Sequence, residues 1–222
     1  MKVAILLSGC GVYDGSEIQE AVFTFLALDQ KGYSYACFAP NKNQFHVINH
    51  TNGEVMEQER NCMVESARIS RGEISDITDY DANAFDALIV IGGFGAAKNL
   101  TQWAFSGKDG EIDGGVKSSI LSTLEKNKKI LAMCMGPTVV AKALEGSTYK
   151  ASLSVGSSEH PSPYDIKDIH NQMEALGAVC SNASKTEIMF DSKLNIISVP
   201  AYMMEASVSE IFQNISQGID KL

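Results

Sequence analysis

Short, mostly apolar runs recur along the chain, and each ends at a glycine, a proline or a small residue. They cover residues 2–8, 33–39, 87–91 and 129–133. A run without regular polar alternation is typical of a strand that is covered on both faces of a parallel sheet. Four buried strands are therefore predicted. Three weaker strands are expected later, at residues 150–155, around Ile188 and at 196–199.

Between these runs the apolar residues follow helical spacing. After the first run, one helical face carries the apolar residues Ile18, Ala21, Val22, Phe25 and Leu26. We expect that face to pack against the sheet, with Ser16 as the N-cap of the helix. Further helices are expected at residues 61–70, 115–126, 137–144, 162–176 and 208–219.

The alternation of strands and helices predicts an α/β fold, a mostly parallel sheet with helices on both faces. No internal repeat or low-complexity linker divides the chain, so residues 1–222 are expected to form one domain. Such sheets bind ligands outside the carboxyl ends of their strands. The loops that follow the strands at 2–8, 87–91 and 129–133 are therefore the places to look for a site.

The composition narrows the range of partners. A net charge of −9 and the lack of a lysine- or arginine-rich run argue against binding to a nucleic-acid backbone. The five cysteines are odd in number and form no C-x-x-C pair, so neither a disulfide framework nor a zinc ribbon is predicted. A reducing compartment, the cytoplasm, is the simplest expectation. No apolar run is long enough to span a membrane, and no membrane partner is expected.

The loop after the fourth buried strand has the strongest chemical signal, the sequence AMCMGPT at residues 132–138. Cys134 follows the strand at once, Gly136 allows a tight turn, and Pro137 suits the first turn of a helix. This pattern is that of a nucleophile elbow, a sharp turn between a strand and a helix, with cysteine in place of serine. The helix N-terminus would lower the pKa of the thiol, and the N–H of Met135 would face an oxyanion. A buried structural cysteine fits the same local pattern, which alone leaves both interpretations open.

The loop after the third buried strand, GGFGAA at residues 92–97, favours a reactive cysteine. The backbone N–H of Gly93 has no neighbouring Cβ in its way and would serve as a second oxyanion donor. The run lacks the lysine–serine or lysine–threonine pair of a phosphate-binding loop. The glycines of the first loop are spaced one residue too widely for a dinucleotide fingerprint, so no nicotinamide or flavin cofactor is expected.

Glu17 opens the first helix and is the acidic residue nearest to the predicted site. A carboxyl beside a thiolate would have a raised pKa, so it could donate a hydrogen bond to sulfur and carry a proton. A glutamate in a first helical turn also complements the helix dipole, and the sequence alone favours that ordinary role.

Five stretches of the chain together resemble one known family. They are LSGCGVYDGSE at 7–17, VINH at 47–50, ESARI at 65–69, GGFGAAKNL at 92–100 and PAYM at 200–203. The chain resembles the ElbB family, also called isoprenoid-biosynthesis, enhancing-lycopene-biosynthesis or sigma cross-reacting proteins, and ES1 proteins in animals. That family belongs to the class I glutamine amidotransferase-like superfamily, together with the PfpI-type peptidases.

The resemblance implies a flavodoxin-like three-layer sandwich and a homodimer. It also implies a nucleophilic cysteine at Cys134, a glutamate beside the thiol at Glu17, and oxyanion donors at the backbone of Gly93 and Met135. Members of this family have been assigned a weak, cofactor-independent glyoxalase activity on glyoxal or methylglyoxal. A small aldehyde is therefore the substrate that the resemblance implies.

The histidines depart from the superfamily pattern. Many members place a histidine roughly 15 to 30 residues beyond the cysteine as a general base, and the only histidine at that distance here is His160 in an SEHP loop. Its position makes amide hydrolysis less expected than aldehyde chemistry, for which a cysteine adduct and one proton carrier suffice. His46 and His50 lack a third ligand, so no metal site is expected, although His50 is a weak candidate for the rim of the site.

The other cysteines are assigned simpler roles. Cys10 is a candidate resolving thiol for an oxidised Cys134, although a packed spectator is the simpler interpretation. Cys37, Cys62 and Cys180 are expected to be structural.

Two classes of function stay open on this basis. The leading one is a glyoxalase III-like lyase in which Cys134 adds to a small dicarbonyl and forms a thiohemiacetal. The alternative is a redox-sensing or stress-response protein that uses oxidation of Cys134. An amidotransferase-type hydrolase is the least expected.

Overall fold

A seven-stranded sheet forms the centre of the computed structural model, which describes residues 1–222. The strands of the chain are β1 (Lys2–Leu6), β2 (Ser34–Ala39), β3 (Ile74–Asp76), β4 (Ala87–Val90), β5 (Lys129–Met133), β6 (Ser152–Leu153), β7 (Val179–Cys180), β8 (Met189–Asp191) and β9 (Ile196–Val199). The main sheet has the order β3-β2-β1-β4-β5-β9-β8, and β6 pairs with β7 in a separate small sheet. Only β8 runs antiparallel to its neighbour in the main sheet. The predicted mostly parallel α/β fold is confirmed.

Helices cover both faces of this sheet. They are α1 (Ile18–Gln30), α2 (Cys62–Ile69), α3 (Trp103–Ser106), α4 (Gly114–Glu125), α5 (Gly136–Leu144), α6 (Ile166–Ala175) and α7 (Val208–Ile219). The crossover from β1 to β2 runs in the opposite direction along the sheet to the one from β4 to β5. Because such crossovers are right-handed, α1 and α4 lie on opposite faces. The flavodoxin-like three-layer arrangement that the resemblance implied is therefore present.

The central strands form the floor of the core. Every residue of β4 and β9 is buried, and β1 and β5 each expose only their first residue. Burial on both faces explains why these strands have no polar alternation. No helix is both long enough and apolar enough to cross a membrane.

The predicted elements differ from the observed ones mainly at the edges of the fold. Strand β3 was not predicted, because it has only three residues and no apolar run. The predicted strand at 150–155 is a two-residue strand, β6, outside the main sheet. Helix α6 begins at Ile166 rather than at residue 162, because the side chain of Asp165 caps it by accepting from the N–H of Asp168.

The orientation of α1 contradicts the sequence prediction. Ile18, Val22 and Leu26 were expected to face the sheet, but they are 44%, 47% and 44% exposed. The inward face instead carries smaller residues and one acid: Glu20, Ala21, Thr24, Ala27 and Leu28. Small side chains let the helix approach the sheet closely, and this orientation places Glu20 inside the protein.

Candidate active site

Cys134 occupies a sharp turn between β5 and α5. Its φ angle is 56°, in the left-handed region that side chains other than glycine rarely adopt. Such a conformation costs about 1–3 kcal/mol and persists only where the surroundings hold it. Here the N–H of Cys134 donates to the carbonyl of Val199 at 2.9 Å, and α5 begins two residues later. The side chain therefore lies at the carboxyl end of the central strands, as an elbow requires.

Two backbone N–H groups converge on the sulfur. Those of Gly93 and Met135 interact with the Cys134 thiol and favour its charged form. Gly93 has a φ of 91°, and a side chain there would come within 2.5 Å of the carbonyl of Gly15. The position therefore requires glycine. The structure brings together all three groups, the thiol and the two proposed oxyanion donors.

The carboxyl group beside the thiol belongs to Glu20. Its side chain is completely buried, and Oε1 accepts from the N–H of Tyr202 at 3.4 Å. A methyl group at Gly92 would lie 2.5 Å from Glu20 Oε2 and 3.0 Å from Cys134 Sγ, so both groups border the same small space. Oε2 makes no hydrogen bond of ordinary geometry, although the carboxyl lies close enough to the Cys134 thiol and to the N–H of Gly92 for both to lower its pKa. An unpaired buried oxygen is costly in a structural role and is expected where a substrate or proton must be handled.

Glu17, the residue expected at this place, lies one helical turn away. Its backbone N–H donates to the carbonyl of Gly92, and its carboxylate accepts from the N–H of Glu20 at 2.7 Å. Glu17 is thus the N-cap of α1, in place of the predicted Ser16. Ser16 is buried and its hydroxyl accepts from the N–H of Ser8 instead. The carboxyl that faces the thiol is Glu20, which sequence reasoning missed.

A sequence signal for Glu20 exists in the periodicity of α1. Thr24, Ala27 and Leu28 follow it at positions i+4, i+7 and i+8, which defines one helical face of small and apolar residues. A glutamate on such a face is destined for burial. The larger apolar side chains on the other face concealed this pattern, because they gave the more obvious stripe.

Burial governs the ionisation of the pair. It raises the pKa of Glu20 to about 8, with the nearby Glu17 carboxylate adding to the rise. Burial and the charge of Glu20 also raise the pKa of the Cys134 thiol well above its ordinary value. The N–H groups of Gly93 and Met135 lower the pKa of the thiol, as was expected of a helix N-terminus, but the effect of burial is larger. At neutral pH the pair therefore retains its protons, and the first proton leaves at about pH 8.

Asn99 holds the loop after β1 against the loop after β4. Its buried amide nitrogen donates to the carbonyls of Ser8 and Asp14, both at 2.8 Å. Its amide oxygen accepts from the N–H of Phe45 at 2.9 Å. One side chain therefore fixes three segments at the carboxyl edge of the sheet, where the first turn of α1 meets Gly92.

The histidines lie apart from the thiol. His160 Nδ1 pairs with the hydroxyl of Ser157 at 3.1 Å, in the loop before α6. His50 accepts from the N–H of Tyr13 through Nε2, and its Nδ1 bonds the carbonyl of Ile48. Neither contacts Cys134, so the carboxyl of Glu20 is the ionisable group beside the sulfur. No group of three or more His, Cys, Asp or Glu side chains could hold a metal ion, His46 and His50 included.

The remaining cysteines are free and separate from the elbow. A resolving role for Cys10 would need β1 to neighbour β5, but β4 lies between them. The backbone of Cys10 forms an isolated β-bridge with that of Ser16, and its side chain lies near Glu65 and Arg68. Cys37 and Cys62 are buried, and burial raises the pKa of each to about 12, which suits packing roles.

Comparison with known proteins identifies relatives over the full length of the chain. No family model matches it. The chain is 37% identical over 223 residues to the human glutamine amidotransferase-like class 1 domain-containing protein 3, mitochondrial. The matched region covers 100% of this chain and 82% of the human protein. The rat ES1 protein homolog, mitochondrial, matches with the same identity and coverage.

Solved structures give the same assignment. An isoprenoid biosynthesis protein with an amidotransferase-like domain from Ehrlichia chaffeensis superposes with a TM-score of 0.89 at 33% identity, covering 99% of this chain and 96% of that one. Drosophila melanogaster DJ-1beta, at 14% identity and a TM-score of 0.54, covers 96% of this chain and 86% of its own; it shares the fold. The chain therefore belongs to the ES1 family, the ElbB-type isoprenoid-biosynthesis proteins, within the class I glutamine amidotransferase-like superfamily.

Proposed function

We propose that this protein is a cofactor-independent glyoxalase-type enzyme that converts small dicarbonyls to hydroxy acids through Cys134. One observation carries the proposal: a thiol and a carboxyl, both buried, border one small space and interact with each other. A buried carboxyl with a pKa of about 8 is matched to proton transfer near neutral pH. The Cys134 nucleophile is then activated by a neighbouring base rather than by a depressed pKa of its own.

The first half of the reaction uses the geometry of the elbow. The Glu20 carboxylate takes the proton of Cys134 as the sulfur bonds to the aldehyde carbon. The carbonyl π electrons move to oxygen, where the N–H groups of Gly93 and Met135 face the developing charge. Glu20 then gives this proton to that oxygen, which forms the thiohemiacetal and restores the Glu20 carboxylate.

The second half moves one proton between carbons and adds water. Glu20 removes the hydrogen from the carbon bonded to sulfur and returns a proton to the neighbouring carbon. The proton of the thiohemiacetal hydroxyl passes to the neighbouring oxygen, which leaves a thioester of the hydroxy acid. Water then attacks the thioester carbonyl, the carbon–sulfur bond breaks, and the thiol regains its proton. One water is consumed and the oxidation of one carbon balances the reduction of the other, so no cofactor is needed.

The two alternatives have less support from the site. A redox sensor needs a readily formed thiolate, whereas Cys134 is 5% exposed and its pKa is raised. An amidotransferase-type hydrolase needs a base for amide cleavage, and His160 is bonded to Ser157 rather than to the thiol. The dicarbonyl reaction requires only the groups that adjoin Cys134, namely the Glu20 carboxyl and the N–H groups of Gly93 and Met135.

Turnover of methylglyoxal and glyoxal tests the proposal directly. The wild type should form the hydroxy acid, and Cys134→Ala should abolish the reaction. Glu20→Gln keeps the shape but removes the proton acceptor, so kcat should fall by about a hundredfold or more. Glu17→Gln keeps a capping oxygen and should reduce kcat less than about tenfold. Turnover that does not exceed the Cys134→Ala background would rule out this function.

We also propose a homodimer that forms through α1. Ile18, Val22 and Leu26 present an exposed apolar stripe on that helix, and the ring of Phe25 stacks on exposed Tyr35 beside it at 4.9 Å. Exposed apolar side chains on one helix face favour association over exposure to water. The homodimer implied by the family resemblance names the partner, a second copy of the chain.

A reducing compartment suits the five unpaired cysteines. We propose the cytoplasm as that compartment, while the names of the human and rat relatives place those proteins in mitochondria. Cell fractionation with an antibody to the protein would decide between them.

A further inference from the structure

Tyr164, in the loop that precedes α6, lies near enough to Cys134 and Glu20 for their charges to act on its phenol. Its ring meets that of Phe94 edge to face, with 6.1 Å between centroids. Phe94 directly follows Gly93, whose N–H faces the sulfur of Cys134. The ring of Tyr164 is thus anchored to the turn that forms one wall of the site.

The backbone of Tyr164 is tied to the opposite wall. The hydroxyl of Ser162 accepts from the N–H of Tyr164 at 3.0 Å and donates to the carbonyl of Met203 at 2.6 Å. Met203 follows Tyr202, whose N–H donates to Glu20. Tyr164 is therefore held between the turn of Gly93 and the turn that contacts the Glu20 carboxyl.

The hydroxyl of Tyr164 is uncommitted. The hydroxyl of Tyr80 forms a hydrogen bond with Thr123, and the hydroxyl of Tyr202 forms one with Gln19. The hydroxyl of Tyr164 forms no hydrogen bond with any group of the chain. Burial, together with the charges of nearby Cys134 and Glu20, raises the pKa of Tyr164 to about 12. The phenol accordingly stays protonated over the working pH range and can act only as a hydrogen-bond donor towards an anionic oxygen.

We propose that Tyr164 determines specificity for 1,2-dicarbonyls by donating a hydrogen bond to the second carbonyl oxygen, the one next to the carbon that Cys134 attacks. This inference rests on the proposed function and names the group that recognises its substrate class. The N–H groups of Gly93 and Met135 serve the oxygen of the attacked carbonyl and leave the neighbouring oxygen without a donor. The phenol supplies that donor.

The same hydrogen bond strengthens during the proton shift. When Glu20 removes the hydrogen from the carbon bonded to sulfur, the electron pair of that bond forms a carbon–carbon double bond. The π electrons of the second carbonyl move to its oxygen, which becomes the anionic end of an enediolate beside the phenol. Return of the proton from Glu20 to carbon and transfer of the thiohemiacetal hydroxyl proton to the second oxygen give the neutral thioester, and Tyr164 keeps its own proton throughout. An interaction that is stronger in the transition state than in the ground state raises kcat.

The test compares a dicarbonyl with a simple aldehyde in the wild type and in Tyr164→Phe, which keeps the ring contact with Phe94. The readout is protection of Cys134 from iodoacetamide, measured by intact mass against increasing methylglyoxal or propanal. We expect the methylglyoxal dissociation constant to rise about tenfold in Tyr164→Phe and the propanal constant to change less than about twofold. Turnover of methylglyoxal should fall at least about tenfold, with the pH midpoint near 8 retained. Tyr35→Phe is the matched control, because exposed Tyr35 lies near the start of β2, away from the carboxyl ends of the strands, and its ring stacks on Phe25 at 4.9 Å; it should behave as the wild type.

The outcomes separate this inference from the function beneath it. An equal change for both aldehydes, or none for either, overturns the role of Tyr164 and leaves the glyoxalase proposal standing. Protection without turnover in the wild type overturns the glyoxalase proposal, and the ratio of the two constants still decides the role of Tyr164. Absence of both protection and turnover in the wild type overturns both.

Discussion

At the scale of single residues, the chemistry of Cys134 depends on how one proton is shared with a carboxyl. The thiol is nearly inaccessible and its pKa is raised, so it reacts only when a neighbour removes its proton. Glu20 is that neighbour, because burial raises its pKa to about 8 and its carboxyl adjoins the thiol. The strain at Cys134 and the fixed N–H groups of Gly93 and Met135 keep the sulfur in place for this exchange.

The pH dependence of alkylation at Cys134 tests this arrangement. In the wild type, the rate with iodoacetamide should be low at pH 6 and rise as the pH passes through about 8, because Glu20 then accepts the thiol proton. In Glu20→Gln that step near pH 8 should disappear, since no carboxyl titrates there. Rapid alkylation at pH 6, or a step near pH 8 that survives in Glu20→Gln, would contradict the assignment of Glu20 as the base.

At the scale of elements, α1 has two opposite functions on its two faces. Its inward face delivers Glu20 to the site, and its outward face leaves Ile18, Val22 and Leu26 in solvent. Its first turn is fixed to the loop after β4 through the N–H of Glu17 and the carbonyl of Gly92. A dimer interface on the outer face of α1 would therefore lie one helix width from the site of Cys134 and Glu20. It would also stiffen the helix that carries Glu20.

Substitution on that outer face tests the homodimer. Val22→Asp places a charge in the middle of the apolar stripe, so the protein should change from dimer to monomer in sedimentation velocity at micromolar concentration. Val55→Asp is the matched control, because Val55 is 60% exposed but lies in a loop away from α1. A wild type that sediments as a monomer, or an effect of the same size in Val55→Asp, would exclude α1 as the interface.

At the scale of the whole molecule, the buried carboxyl makes stability depend on pH. The pKa of Glu20 rises from 4.5 to about 8 on folding, so the folded protein binds this proton more tightly than the unfolded chain. The resulting stabilisation is complete below about pH 4.5 and is lost as the pH rises through about 8. Its full size is on the order of a few kcal/mol, because each pKa unit corresponds to about 1.4 kcal/mol.

Chemical denaturation between pH 5 and pH 9 measures this contribution. The free energy of unfolding of the wild type should fall by on the order of a few kcal/mol relative to that of Glu20→Gln over this range, with most of the loss below pH 8. The comparison with Glu20→Gln isolates Glu20, because both proteins contain His46 and His170. The lowered pKa values of these histidines reduce the free energy of unfolding as the pH falls, whereas Glu20 reduces it as the pH rises. A constant difference between the two proteins across the range would show that Glu20 ionises freely in the folded state.

Much of the central fold could be predicted because its signals are local. Residues 3–6, 87–90 and 130–133 are buried on both faces, so solvent imposed no polar alternation and the strands were visible as apolar runs. The edges were less predictable: β3 and β6 are short and only partly buried, so their pattern is weak. The stripe on α1 was assigned to the core because periodicity identifies a face but not what that face meets.

The sequence by itself determined the α/β class, the turn that carries Cys134 and the glycine turn opposite it, because each follows from consecutive residues. It also determined the family, through motifs that span the chain. Only the tertiary structure decided which carboxyl meets the thiol, since Glu17 and Glu20 differ by one helical turn and the rotation of α1 against the sheet selects between them. It alone also decided the sign of the pKa change at Cys134, because burial is a property of the whole fold, and the local helix N-terminus that would lower the pKa is outweighed by it.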